Sequence, residues 1–402
     1  MTPADRVLDL CARIAAHTDV PGTITRTFLS PATRAVHALL CEEMQALGMT
    51  VRTDSAGNLR GIYPAALPDA PTLLIGSHID TVPDAGAYDG VLGVAIAIAL
   101  VRQLGGRRLA YAIEVVAFSE EEGVRFRFPF LGSRALVGTL GPEELARTDA
   151  AGISIAQALR DFGLNPGDLA GAALTPGTFA FLEVHIEQGP VLESLHLPLG
   201  VVTSIIGQSR LGVTFTGEAN HAGTTPMAFR KDALAAAALW IAEVAAFPAN
   251  DPALLATVGS LQALPGAANV IPGSVIVSLD VRHPDDHARL CAVAGLKARA
   301  EAIAAPRGIA VAFTDRGGQS SVPMDPQLIA ALTAAATPFA PHPMPSGAGH
   351  DAMILAPHVP TAMLFVRTPR GLSHHPAESV SASDIEAALD TCTAFLNALE
   401  SL

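Results

Sequence analysis

Four short apolar runs in this 402-residue chain each lead into histidine or clustered carboxylates. Residues 72–76 (TLLIG) precede Ser77-His78-Ile79-Asp80, and Ala112 to Phe118 precede Ser119-Glu120-Glu121-Glu122. Phe179 to Val184 run into His185-Ile186-Glu187-Gln188, and Thr361 to Val366 are followed by Gly371-Leu372-Ser373-His374-His375. Runs that short and that apolar suit strands buried on both faces. Helical signals lie between them: Ser30-Pro31 opens one helix that Gly48 closes, and another starts near Gly90. Strands alternating with helices predict an α/β fold with a mixed sheet covered by helices. In an open α/β sheet the strand ends converge on one crevice, so the polar residues at those ends should meet there.

The middle of the chain has a different rhythm. A strand over Leu211 to Thr216, an Ala-rich helix over Ala228 to Phe247, and strands over Leu255 to Leu261 and Val275 to Val281 follow one another. A helix from Asp285 to about Ile303 and a strand from Ile309 to Phe313 complete the set. That order is the strand–helix–strand–strand–helix–strand of a ferredoxin-like α+β layer. The expected organisation is therefore a first domain over 1–208 and 325–402, interrupted by an inserted domain over 209–324.

A formal net charge of -13 excludes a nucleic-acid binder, which needs a dense basic surface. Pairs such as Arg107-Arg108 fit solvated helix ends. The acidity is compatible with an anionic small substrate, because a local Arg outweighs charges screened beyond about 10 Å. Cys11, Cys41, Cys291 and Cys392 are scattered and form no CxxC pair, as expected of reduced thiols in a cytoplasmic protein. The N-terminus lacks a secretory pattern. The longest apolar run, Val91 to Val101, is short of the roughly 20 residues that span a bilayer and reads as a core helix.

His78 and Asp80 stand two apart at a strand end, where imidazole can bind a metal and a carboxylate can fix its tautomer. A polar turn with a satisfied histidine is the alternative. Asp89, on a Gly-rich loop before a helix, is placed to bridge two cations. Glu120, Glu121 and Glu122 repel one another unless a cation or proton neutralises them. They read either as an acidic helix start or as a ligand beside a general base. Imidazoles and carboxylates without thiolates suit Zn²⁺, Mn²⁺, Co²⁺ or Ni²⁺.

The combination GSHIDTVP, YDG, EEG, HIEQGP, NHAGTTPM, SGAGHDA and GLSHHPAE, in this order over nearly the whole chain, resembles the dinuclear-metal amidohydrolase and peptidase family. That family contains allantoate amidohydrolase, N-carbamoyl-L-amino-acid hydrolase and β-ureidopropionase. The resemblance implies two divalent metal ions per subunit, Mn²⁺ or Zn²⁺ with Co²⁺ or Ni²⁺ as alternatives. Asp89 would bridge them, with His78 and His185 completing one and Glu122 and His374 the other. Glu121 would be the general base, Asp80 the carboxylate behind His78, and His375 a bystander. Imidazole at His185, where the peptidase branch typically carries a carboxylate, points to the ureido-cleaving branch. The inserted domain would act as lid and homodimer interface, with His221 reaching the partner's active site to stabilise an oxyanion. Arg282 resembles the Arg that forks onto a substrate carboxylate, and Arg210, Gln188, Asn269 and His350 match further substrate-contacting positions. Allantoate enzymes often read Gly-Gln-Arg-Arg where this chain has Ser209. The expected substrate is a small anionic ureido compound. Allantoate is preferred on the 84–90 loop, the 24–31 entry and GLSHHPAE, with carbamoyl amino acids and β-ureidopropionate as alternatives.

Overall fold

The computed structural model describes residues 1–400, which form two compact units: Met1–Thr203 with the segment from Pro323, and Ser204–Val322. In the first unit a mixed sheet runs in the order Thr50–Thr53, Leu59–Tyr63, Ala112–Phe118, Thr72–His78, Thr178–Ile186, Thr361–Val366 and Leu199–Ile205. The four strands from Ala112–Phe118 to Thr361–Val366 are mutually parallel, and the flanking pairs are antiparallel. These central strands carry the apolar runs of the sequence, because helices bury both of their faces.

Alternation along Thr178–Ile186 separates the two faces. Ala180, Leu182, Val184 and Ile186 join the main core, whose centre is the helix Val91–Gln103. The first eleven residues of that helix are buried, which explains its lack of a polar side. Pro3–Ala15 and Ala382–Leu399 pack against it from outside. A Cβ on Gly93 would lie 2.1 Å from the carbonyl oxygen of Val184, so glycine there lets the helix lie directly on the sheet. Phe181, Glu183 and His185 face the other way, where the short helix Asp351–Leu355 packs on the sheet and the Ala352 N–H donates to Glu183 Oε2.

The chain leaves Thr72–His78 towards Ala112–Phe118 and later returns to Thr178–Ile186 on its opposite side. The strand order therefore reverses between the strands that carry His78 and His185. Such a switch point is where open α/β sheets form their binding crevice.

The second unit orders its strands Leu261–Leu264, Ser274–His283, Gly207–Thr216 and Ala310–Gln319, all antiparallel. Helices Ala233–Ala246 and Asp286–Ala304 share a core with this sheet around Trp240, Phe215 and Leu296. This is the ferredoxin-like order of strands and helices. The last strand, expected over 309–313, runs on to Gln319, and two further elements differ from expectation. The Ala-rich helix starts at Ala233 rather than Ala228, because the Asp232 side chain caps it by accepting from the Leu234 and Ala235 N–H groups. The strand expected over 255–261 divides into Leu255–Thr257 and Leu261–Leu264, since the Gly259 and Ser260 N–H groups donate to Ser278 Oγ instead of continuing a ladder.

Candidate metal centre

Asp89 lies on the loop between Thr72–His78 and Val91–Gln103, with its carboxylate buried at the switch point. Its two oxygens face different partners. Oδ1 is 3.4 Å from His78 Nε2 and 3.2 Å from His185 Nε2. Oδ2 is 3.2 Å from His374 Nε2, and that same nitrogen is 3.2 Å from Glu122 Oε1.

The far sides of both buried imidazoles are occupied. His78 Nδ1 is 3.0 Å from the Asp80 carbonyl, and His185 Nδ1 is 2.9 Å from the Ile186 carbonyl. Those contacts place the proton on Nδ1 and turn the Nε2 lone pairs inward, the arrangement of metal-ligating histidines. The two Nε2 atoms face each other at 3.5 Å beside a carboxylate oxygen. Three electron-pair donors converging in a buried space call for positive charge, so the residues present fit a cation. His78, Asp89 and His185 form one such group, and Asp89, Glu122 and His374 another, each with ligand atoms within 4.8 Å of one another.

The titration of these groups expresses the same demand. Burial alone would raise the Asp89 carboxyl, but the imidazoles of His185, His374 and His78 hold it well below the usual range. Burial opposes charging of His78 and His185, yet Asp80 and Asp89 push the first up and Asp89 the second. Contacts with Asp89 and Glu122 raise His374 to about 10.

Glu121 is only 8 % exposed and groups with His78 and Glu122. Burial pushes its carboxyl well up against the pull of His78, and the like charges of Glu122, Asp351 and Asp80 add to the rise. A carboxyl kept basic in this way is suited to accept a proton. Asp80 binds the pieces together: Oδ1 accepts from the Glu121 N–H at 2.9 Å and Oδ2 from the Glu122 N–H at 3.1 Å, while Oδ1 is 3.4 Å from His78 Nδ1.

Further predicted residues divide between the units. Gln188 Nε2 donates to Asp89 Oδ2 at 3.0 Å. His350 is buried, its ring edge-on to His185 with centroids 4.4 Å apart and its Nε2 2.8 Å from Ser346 Oγ. His375 Nδ1 accepts from the Ala377 N–H. In the second unit, His221 pairs with Val270, next to Asn269, and both His221 and Asn269 are exposed. Its Nδ1 accepts from the Gly223 and Thr224 N–H groups, leaving Nε2 as the protonated, donating nitrogen. Arg210 and Arg282 lie on neighbouring strands and share Asp280.

Several contributors were not singled out from the sequence. Ser373 Oγ donates to Asp89 Oδ2 at 2.8 Å. Glu378 Oε1 accepts from the Tyr88 and Asp89 N–H groups, and burial raises its carboxyl to about 7. Arg26, fully buried, donates to the Ile79 carbonyl at 2.6 Å and so clamps the segment between His78 and Asp80. Ser373 and Glu378 belong to the GLSHHPAE motif, and Arg26 to the 24–31 entry; their partners across the fold carry no local signal.

A histidine–carboxylate cluster at the switch point of a mixed α/β sheet is a candidate site for metal ions. The family model for peptidase family M20/M25/M40 matches residues 74–398, and the chain belongs to that family. It is 40 % identical over 363 residues to N-carbamoyl-L-amino acid amidohydrolase of Geobacillus stearothermophilus, covering 89 % of this chain and 88 % of that protein. It is 38 % identical over 406 residues to allantoate deiminase of Arabidopsis thaliana, covering 92 % and 77 %. The crystal structure of an amidase of the hydantoinase/carbamoylase family from Burkholderia multivorans superposes with a TM-score of 0.90 at 34 % identity, covering 98 % and 97 %. The chain is a hydrolase acting on C–N bonds. Among the described residues, no helix is long and apolar enough to cross a membrane.

Proposed function

We propose that this protein hydrolyses the C–N bond of a small anionic linear ureido compound, with allantoate as its substrate. The observation that carries the reaction class is the double cluster around Asp89 with the buried Glu121 carboxyl beside it. In this reading His78, Asp89 and His185 would hold one divalent ion and Asp89, Glu122 and His374 a second, Mn²⁺ or Zn²⁺. Such ions, when bound, polarise a carbonyl and lower the pKa of water towards about 7.

The chain's own residues do the rest. Glu121 accepts the proton of the attacking water and returns it to the departing nitrogen, so the ureido C–N bond breaks with release of ammonia, and the carbamate left behind loses carbon dioxide. Asp80 keeps His78 and the Glu121 backbone in place through the contacts described above. Arg282, with Arg210, Asn269, Gln188 and His350, recognises the substrate, the guanidinium taking its carboxylate. His221 donates from Nε2 to the oxyanion in the active site of a second copy, a contact worth about 3 kcal/mol in the transition state. A homodimer formed through the inserted unit is part of this reading.

The choice of allantoate rests on the resemblance of the 84–90 loop, the 24–31 entry and GLSHHPAE. A second reading, hydrolysis of N-carbamoyl-L-amino acids, draws support from the 40 % identical Geobacillus relative that bears that name. Ammonia release by the Mn²⁺-loaded protein, with allantoate and a panel of N-carbamoyl-L-amino acids side by side, separates them. Preference for allantoate is expected; preference for a carbamoyl amino acid keeps the chemistry and replaces the substrate. Glu121→Gln should lower kcat at least a thousandfold while the metal content stays within a fifth of the wild type. Near-normal turnover by this variant would remove Glu121 from the role of base.

A further inference from the structure

The second unit contains an arginine fork that the metal centre does not explain. On the sheet face away from the helices, Asp280 stands directly opposite Arg210 in the register of Ser274–His283 and Gly207–Thr216. Alternation puts Val277, Leu279 and Val281 into the core, so Ser278, Asp280 and Arg282 lie on the open face. Asp280 Oδ1 accepts from Arg282 Nε at 2.8 Å, and Oδ2 from Arg282 Nη2 at 3.3 Å. The same Oδ2 accepts from Arg210 Nε at 3.2 Å. One carboxylate thus holds two guanidiniums, and both of its oxygens are engaged. Among the described residues, the Nη nitrogens of Arg210 have no hydrogen-bond partner, and its side chain is 53 % exposed.

We infer that Asp280 is a positioning residue, which sets the planes of Arg282 and Arg210 before the anionic group of the substrate arrives. The inference rests on the proposal that these arginines bind the substrate carboxylate. Two guanidiniums side by side repel each other; a carboxylate between them removes that repulsion and narrows the rotamers of the exposed Arg210. Holding Arg210 by Nε alone leaves its paired Nη donors, the two-pronged end, directed away from Asp280. The three residues together carry a single net positive charge, enough to attract a monoanion.

Orientation and simple Coulomb attraction predict opposite results when Asp280 is neutralised. Removing its charge raises the fork from one net positive charge to two, so a purely Coulombic site would bind a carboxylate more tightly. A site that depends on orientation would bind it more weakly. The experiment compares wild type, Asp280→Asn and Asp280→Glu on the carboxylate substrate and on its uncharged carboxamide analogue, with Arg282→Gln as reference. For Asp280→Asn the expected result is a KM for the carboxylate raised 10- to 50-fold, a kcat within threefold, and carboxamide kinetics unchanged. Asp280→Glu, which keeps charge and both oxygens, should recover most of the loss. An unchanged or lowered KM in Asp280→Asn, with Arg282→Gln still selectively impaired on the carboxylate, would overturn the inference and leave the carboxylate assignment standing. Equal loss on both substrates in Arg282→Gln would overturn the assignment itself, and the inference with it. Matched thermal melting of the variants shows that the readout concerns binding and not folding.

Discussion

Gly90 shows how far a single position can control the metal centre. Its φ of +67° lies in the left-handed region, and a Cβ there would sit 2.4–2.5 Å from Cδ2, Cγ and Nε2 of His78. Alanine therefore costs about 1–3 kcal/mol in backbone strain and drives the imidazole away from Asp89. Gly90→Ala should yield a folded protein whose divalent-metal content, measured by inductively coupled plasma mass spectrometry after dialysis, falls by at least half, with activity down more than 100-fold. Full metal loading in this variant would show that His78 is not held where Gly90 meets it. Much of this site was legible in the sequence, because His78, His185 and the Glu120–Glu122 run each follow an apolar strand. The contacts that orient the cluster were not. Ser373 and Glu378 reach Asp89 from the far end of the chain, and neither residue type in its local setting reveals that partner. The pairing of Asp280 with Arg282 had a local trace, two residues apart on a strand, but Arg210 joins only through the sheet register.

Among the elements, the central strands matched their sequence signal closely because burial on both faces leaves no ambiguity: Ala112–Phe118 and Thr361–Val366 have the expected bounds. The Ala-rich helix did not, since a uniformly apolar stretch gives no periodicity and its start depends on the single capping Asp232. Ala112–Phe118 also contains a charge at its centre that the apolar pattern disguises. Glu114 is fully buried and accepts from Arg60 Nε at 2.6 Å on the adjacent strand and from Thr175 Oγ1 at 2.7 Å. Arg60 spends its remaining donors on the Ala172 and Ala173 carbonyls and on Thr175 Oγ1. Arg60 Nη1 also lies 3.6 Å from the buried Asp54 carboxylate, so loss of Glu114 leaves the guanidinium with one carboxylate fewer in a dry site and costs about 3 kcal/mol. Glu114→Ala should lose that amount in urea unfolding, whereas Arg60→Met with Glu114→Leu should lose less than the single variant. A single-variant loss below about 1 kcal/mol would mean that water reaches Arg60 and that the strand is less tightly enclosed than its burial indicates.

At the scale of the whole molecule, each unit has its own core, but the second leaves a helix with little reason to be polar on any side. Ala233–Ala246 has Glu243 as its sole charged residue, and Ala235, Ala238, Leu239, Ala242 and Ala245 are exposed on it. Helices apolar all round are normally covered, and Met227 and Phe229 in the same unit are also highly exposed. The proposed cover is a second copy of the chain, which the role assigned to His221 also requires. Wild-type protein should sediment at twice the 41.3 kDa chain mass. Leu239→Glu combined with Ala242→Glu should shift it to the monomer, retain the metal of the first unit, and reduce kcat towards that of His221→Ala. The coupling between assembly and turnover is the informative part. A dissociated variant with full activity would separate His221 from catalysis. A charged helix in an intact dimer would instead place the interface elsewhere and leave His221 to be tested alone.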